Sequence, residues 1–197
     1  MTTITKKSFF NPLASIPDRW QLAISVSILV LSILFNYKTG MIDDGVFHTT
    51  FQSHTSWPLL IISGIIIVLL PTILLCISGK VFYKRTRLVD MWNAVLFSRL
   101  PILIYNIIFA ACVDKNALNQ LAENGNLKDI SAVSFLALIG LLGIPFIVYS
   151  FVILVNGYKT AMYAKKPIHY VIMVTALLLS EFIYRLFIFP MLIQYLN

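Results

Sequence analysis

Charged residues are scarce in this sequence, and their scarcity indicates the class of protein. Only 12% of the 197 residues are Asp, Glu, Lys or Arg, whereas a soluble domain carries about 25%. Hydrophobic residues make up 59% of the chain, more than a water-soluble fold of this length can bury. The chain is therefore predicted to be an integral membrane protein, and its length suits one compact helical bundle.

Cysteine and histidine are also rare. The two cysteines, Cys76 and Cys112, provide neither a disulfide framework nor a metal-ligand pattern. The three histidines, His48, His54 and His169, are scattered and have no Cys or paired carboxylate at ligand spacing. Glycine-rich phosphate loops and nucleophile elbows are absent as well. We therefore expect no metal site and no cofactor.

Long apolar runs are what the sequence does contain. A membrane-spanning helix needs about 20 mostly apolar residues, and five segments meet this requirement. They are residues 20–37, 57–78, 91–113, 133–156 and 169–195. The predicted fold class is all-α, a bundle of five transmembrane helices. Residues 1–19 form a short cytoplasmic N-terminal segment and residues 20–197 form the transmembrane domain.

Basic residues are distributed unevenly between the connections. The N-terminal segment and the loops 79–90 and 157–168 contain ten Lys and Arg residues, whereas the loops 38–56 and 114–132 contain three. Short loops rich in Lys and Arg remain cytoplasmic. The N-terminus is therefore predicted to lie inside and, after five spans, the C-terminus outside.

This topology places Cys76 and Cys112 near opposite membrane surfaces, so we predict that they are not bonded to each other. In the loop 114–132, apolar residues at 117, 118, 121 and 122 precede an Asn-Gly pair. That pattern predicts a short surface helix closed by a turn.

Seven basic residues of the two cytoplasmic loops form a candidate surface for lipid headgroups. They are Lys80, Lys84, Arg85, Arg87, Lys159, Lys165 and Lys166. Each basic residue near the membrane surface contributes about 1 kcal/mol to the attraction of anionic lipid. A role in setting topology alone explains them equally well. The net charge of +7 does not indicate nucleic-acid binding, because the chain has no basic soluble domain.

Three charged residues lie inside predicted spans: Arg99, Glu181 and Arg185. Glu181 and Arg185 fall within "LLLSEFIYRLFIF" (177–189), four residues apart and hence on one helix face. Each isolated charge costs at least ~2.5–3.5 kcal/mol near the bilayer centre, so each needs a partner. We predict that Glu181 is ionised and shared between Arg185 and Arg99. The cluster is either a structural lock between the third and fifth spans or a site for a substrate or proton.

The ExxxR spacing of Glu181 and Arg185 resembles part of the motif of the CAAX-protease and bacteriocin-processing family of intramembrane proteases. That family has two adjacent glutamates, but the first position here is Ser180. Its later His-bearing motifs also need more chain than the twelve residues after Arg185. The resemblance fails, and we predict neither an enzyme nor catalytic residues.

Two other segments carry a resemblance that extends over roughly residues 57–190. "SGKVFYKRTRLVDMWNAVLFSRLPILIY" (78–105) and "YSFVILVNGYKTAMYAKKPIHYVIMVTALLL" (149–179) resemble the central part and the closing helix pair of the YIP family, the Ypt/Rab-interacting membrane proteins. Gly79 and Pro101 stand at the family's loop glycine and helix proline, and Gly157 in its short link. The resemblance implies five spans with the N-terminus cytoplasmic. Eukaryotic members have a longer cytosolic N-terminal region, so binding of Rab-type GTPases is not carried over.

The sequence thus predicts a non-enzymatic membrane protein of YIP type that organises membrane and binds lipids and other membrane proteins. The alternative is a small-solute or ion transporter that uses Arg99, Glu181 and Arg185. The Ile-, Lys- and Asn-rich composition suggests a bacterial cytoplasmic membrane. No oligomeric state is predicted.

The predicted topology can be tested by labelling single cysteines in a background without native cysteines. Thr86→Cys and Asn119→Cys lie in loops of opposite charge character, so a membrane-impermeant maleimide should reach them from opposite sides. Labelling of both from the same side would contradict the five-span topology.

Overall fold

The computed structural model describes residues 11–52, 55–113 and 130–196, and this part of the chain is dominated by helices. Within it, five helical spans are long and apolar enough to cross a membrane, which confirms the predicted bundle. The helices are α1 Asp18–Thr39, α2 Trp57–Phe82, α3 Leu88–Cys112, α4 Ile130–Met162, α5 Pro167–Ile183 and α6 Phe189–Leu196. A π-helical turn, Tyr184–Ile188, joins α5 to α6, so that Pro167–Leu196 forms the fifth span. A short 3₁₀ helix, Pro12–Ala14, precedes α1.

Local sequence signals account for the ends of α1 and α2. Asp18 lies in the first turn of α1, where a negative charge favours the positive end of the helix dipole. Gly40 ends α1 in the left-handed conformation (φ 73°), which glycine adopts without steric cost. At the start of α2, the Ser56 hydroxyl accepts a hydrogen bond from Leu59 N at 3.3 Å, as expected of a helix N-cap.

The connection between α1 and α2 contains a β-hairpin that the sequence analysis did not predict. Strands β1 (Met41–Gly45) and β2 (His48–Phe51) pair antiparallel, with Met41 opposite Phe51. Every residue of β1 is buried. Ile42 is fully buried in a small core with Leu59 and Leu60 of α2. The hairpin, residues 41–51, therefore folds back into the helical bundle, and we call it the inserted hairpin.

Helix α3 lies at the centre of the bundle and packs against α1, α2 and α4. The main core draws residues from several spans, including Val68, Ala94, Leu154 and Leu177. Many large apolar side chains instead point outward, such as Leu141, which is 61% exposed. An apolar exterior is what a bundle surrounded by lipid requires.

Helix α4 lies close to α3 at Gly157. A Cβ atom at this position would lie 2.7 Å from Ala94 Cβ and 3.2 Å from the backbone Cα of Ala94. Gly140, on the same helix, has open space where its side chain would be.

Three predictions on the loops can be compared with the fold. Cys76 is buried, Cys112 is exposed and both are free, as predicted. The surface helix predicted in the loop 114–132 lies outside the described residues. In that loop the structure describes only residues 130–132, which begin α4. Thr86 is 3% exposed, so Lys84, which is exposed in the same loop, is the better labelling position.

We predict that Gly157→Ala destabilises the protein whereas Gly140→Ala does not. Both changes gain helix propensity, worth about 1 kcal/mol at most. Only the first forces a methyl group against the backbone of α3, and overpacking of this kind typically costs ~1–3 kcal/mol. The free energy of unfolding in mixed micelles measures the difference. Equal values for the two variants would mean that α3 and α4 are not in close contact at Gly157.

Candidate functional site

The centre of the bundle contains a buried ion pair between α3 and the inserted hairpin. Arg99 Nη2 lies 2.7 Å from Asp43 Oδ2, and the two side chains are 6% and 7% exposed. Asn36 Nδ2 donates to the same carboxylate oxygen at 3.3 Å, and Thr49 Oγ1 donates to Asp43 Oδ1 at 3.3 Å. Further hydrogen bonds are what make a buried pair tolerable, because they replace the water that both charges have lost.

The backbone of the hairpin is also bound to the helices. Arg99 Nη1 donates to Val46 O at 3.3 Å. Tyr184, the first residue of the π-helical turn, is fully buried and its hydroxyl donates to Asp43 O at 3.1 Å. Asn106 of α3 donates to Thr49 Oγ1 at 3.1 Å. These contacts fix the hairpin between α3 and the fifth span.

A second, more exposed group of charges adjoins the first. Arg185 Nη2 lies 3.0 Å from Asp44 Oδ2, and Arg185 Nε lies 3.4 Å from Glu181 Oε1. His48 Nδ1 lies 2.5 Å from Asp44 Oδ1 and 3.0 Å from Arg185 Nη2. Glu181 Oε2 accepts a hydrogen bond from Val46 N at 2.7 Å. Since the side chains of Glu181, Arg185 and His48 are 30%, 44% and 55% exposed, this group lies at the edge of the bundle.

The structure corrects the predicted triad. Glu181 contacts Arg185, as the i,i+4 spacing predicts, but the carboxylate paired with Arg99 belongs to Asp43. Asp43 and Asp44 belong to the segment 38–56, which was predicted to be a loop outside the membrane. Two signals could have found them. The segment "MIDDGVFHTTF" has the Gly and β-branched residues of a hairpin, and the predicted triad left one positive charge without an acid.

The cavities near these charges differ in size. Beside the Arg99–Asp43 pair the empty space is about 10 Å³, bordered by Ser32, Asn36 and Asn106. Beside Glu181 a cavity of about 240 Å³ opens between the hairpin, α4 and α5. Within the described part of the chain no group of three or more His, Cys, Asp or Glu residues is arranged to hold a metal ion.

The seven predicted headgroup contacts are all exposed and lie in the α2–α3 and α4–α5 connections or in the helix ends beside them. Ring contacts join the two connections, with Tyr83 and Tyr163 centroids 5.3 Å apart and Phe82 and His169 centroids 4.8 Å apart. The basic residues therefore share one end of the bundle. We call Lys80, Lys84, Arg85, Lys159, Lys165 and Lys166 the basic end.

Arg87 differs from the other six predicted contacts. Its guanidinium makes two hydrogen bonds of 2.9 Å to Asp90 and one of 3.3 Å to Asp18. These bonds, to Asp90 first and Asp18 second, raise the pKa of Arg87 above its usual value. No salt bridge within the described residues involves the six residues of the basic end, so their charges are available to an external anion.

Comparison with known protein families identifies this chain's family. The family model described as the Yip1 domain matches residues 4–189, which is nearly the whole chain. No curated protein and no solved structure matches the sequence.

The buried pair leads to a prediction that can be tested by two double-mutant cycles. Arg99→Leu alone leaves Asp43 charged and buried, which typically costs ~3–5 kcal/mol. The double variant Arg99→Leu with Asp43→Leu should cost less than the sum of its single changes, by ~0.5–3 kcal/mol. The matched cycle of Arg99→Leu with Glu181→Leu should show weaker coupling than the first, because Arg99 and Glu181 are joined only through the backbone of Val46. Unfolding in mixed micelles gives the free energies. Strong coupling in the second cycle and none in the first would restore the triad predicted from sequence.

Proposed function

The chain belongs to the Yip1 domain family, and on that premise we propose that it is a non-enzymatic protein that organises membrane by binding anionic lipid headgroups and other membrane proteins. We place it, as part of the same proposal, in a bacterial cytoplasmic membrane. That it is an integral membrane protein of this family follows from the family match and the five apolar spans.

The basic end is the observation that carries the proposal. Six exposed Lys and Arg residues lie at one end of the bundle and have no carboxylate partner within the described residues. A cavity of about 430 Å³ adjoins this end, and Arg85 is the member of the basic end that lines it. Arg87 lines it together with its partners Asp18 and Asp90, so among the described residues the unpaired charge at the cavity is that of Arg85. Cationic side chains beside an open polar cavity favour the binding of phosphate-bearing headgroups.

The exterior of the spans supports the second half of the proposal. Leu138, Leu141 and Leu142 are exposed on α4, and Leu178 and Phe182 are exposed on α5. Inside a bilayer these side chains meet either acyl chains or the spans of another protein. The second contact gains from close packing rather than from the hydrophobic effect.

The surroundings of His48 agree with a non-enzymatic role. Its contacts are with Asp44 and Arg185. Among the described residues, neither a hydroxyl nor a thiol is hydrogen-bonded to His48, and such a pair is what nucleophilic catalysis by Ser or Cys requires.

A second candidate function, small-solute or ion transport, has one observation in its favour. The cavity of about 240 Å³ reaches Glu181, a charged residue of the fifth span. Against it, the cavity beside Arg99 and Asp43 measures only about 10 Å³ and shares no lining residue with the cavity at Glu181, so the described residues show no continuous route between them. Membrane organisation therefore remains the leading proposal.

The proposal predicts that the basic end selects anionic lipid. Replacing its six residues together by Gln should lower the preference for phosphatidylglycerol over phosphatidylcholine at least about five-fold, which corresponds to about 1 kcal/mol. Electron paramagnetic resonance of spin-labelled lipids around the reconstituted protein measures this preference.

The matched control is Arg87→Gln combined with Asp90→Asn, which removes an ion pair at the same end without changing the net charge. It should leave the lipid preference unchanged. If the six-residue variant also keeps its preference, the basic residues serve topology alone.

A further inference from the structure

We infer that the cavity beside Glu181 binds a lipophilic amine, a small molecule with one protonated nitrogen and an apolar body. This inference goes beyond the proposed function, since the cavity lies at mid-bundle and does not involve the basic end. Its evidence is the hydrogen bonding of Glu181, the lining of the cavity and the arrangement of the neighbouring charges.

Of the three carboxylates in the network, Glu181 has the weakest pairing with a cation. Asp43 lies 2.7 Å from Arg99, and Asp44 lies 3.0 Å from Arg185. Glu181 lies 3.4 Å from the same Arg185, which it therefore shares with Asp44. The network also contains the ring of His48, which lies 2.5 Å from Asp44 Oδ1, so Glu181 is the carboxylate that is left with the most distant cationic partner.

Glu181 also has unused capacity to accept hydrogen bonds. An ionised carboxylate offers about four lone-pair directions. Val46 N donates to Oε2, whereas Arg185 Nε, which lies 3.4 Å from Oε1, donates its hydrogen bond to Asp44 O. Gly45 supports this position of the carboxylate, because any Cβ atom there would overlap Glu181 Oε1. The free directions are available to a ligand with an N–H⁺ donor.

Apart from Glu181 and His48, the residues that line the cavity are apolar and favour an apolar body in the ligand. Phe151 comes from α4, Val174 and Leu178 from α5, and Val46 and Phe47 from the turn of the hairpin. A cavity of about 240 Å³ is smaller than the roughly 300–1,000 Å³ of sites for drug-sized ligands. It suits a small amine better than a whole lipid.

Octylamine is the probe, and 1-octanol, which has the same chain without the charge, is its matched control. The full-length protein in nonionic detergent at neutral pH is heated with increasing amounts of either compound, and unfolding is followed by far-ultraviolet circular dichroism. A ligand of the native state raises the unfolding midpoint in a saturable way. Half-saturation by octylamine should occur at a concentration roughly ten-fold lower than by octanol, as one charge-assisted hydrogen bond predicts.

Two variants assign the effect to the cavity. Glu181→Gln keeps an acceptor for Val46 N but removes the charge, and the advantage of octylamine over octanol should disappear. Val174→Trp fills the apolar part while it leaves the charges in place, and the octylamine effect should be lost. Leu179→Trp is its control, because Leu179 is exposed on the same helix and does not line the cavity. This variant should respond like the parent protein.

The inference is overturned if octanol acts as strongly as octylamine, or if Glu181→Gln keeps the amine preference. Phosphatidylethanolamine also bears a protonated amine and provides the final comparison. In nanodiscs of phosphatidylcholine, its addition should leave the half-saturation by octylamine unchanged. Competition by this lipid would overturn the assignment to a small amine and identify a lipid headgroup as the occupant.

Discussion

Arg99 lies near the middle of α3 with 6% of its side chain exposed, far from either end of the helix. A guanidinium at such a depth has to be neutralised, since isolation costs at least ~2.5–3.5 kcal/mol. The acid that neutralises it, Asp43, comes from the connection between α1 and α2 rather than from another helix. This one requirement explains why eleven residues, 41–51, fold into the bundle as a hairpin, with β1 entirely buried.

The position of the hairpin determines the remaining features of the site. Its turn brings Val46 N to Glu181 and Val46 O to Arg99, so that a single peptide segment connects the two helices. Asp44 and His48 lie on either side of Val46 in the chain and meet Arg185, which belongs to the π-helical turn. π-Helical turns within α-helices are common at functional sites. The hairpin, α4 and α5 also enclose the cavity at Glu181, which would not exist if the connection extended into water.

The buried pair and the basic end differ in exposure and in what their charges can contact. Arg99 and Asp43 satisfy each other and leave almost no space for a ligand, so their contribution is to the fold. The six residues of the basic end are exposed and unpaired within the described chain, and they are free to interact with headgroups. The edge of the network, around Glu181, combines both properties because its carboxylate is partly paired and partly accessible.

The sequence by itself determined the class of protein and the five spans, because long apolar runs have one stable solution in a bilayer. It also determined that Arg99, Glu181 and Arg185 need partners, since the cost of a buried charge can be read from its position in a span. Only the tertiary structure decided which partners they have. A segment such as 41–51 reads as an external loop when hydropathy alone is considered, and its Gly and β-branched residues indicate a hairpin without indicating that the hairpin is buried. Its burial depends on charges that lie more than fifty residues away in the chain, and contact between Asp43 and Arg99 arises only when α3 and the fifth span enclose the hairpin.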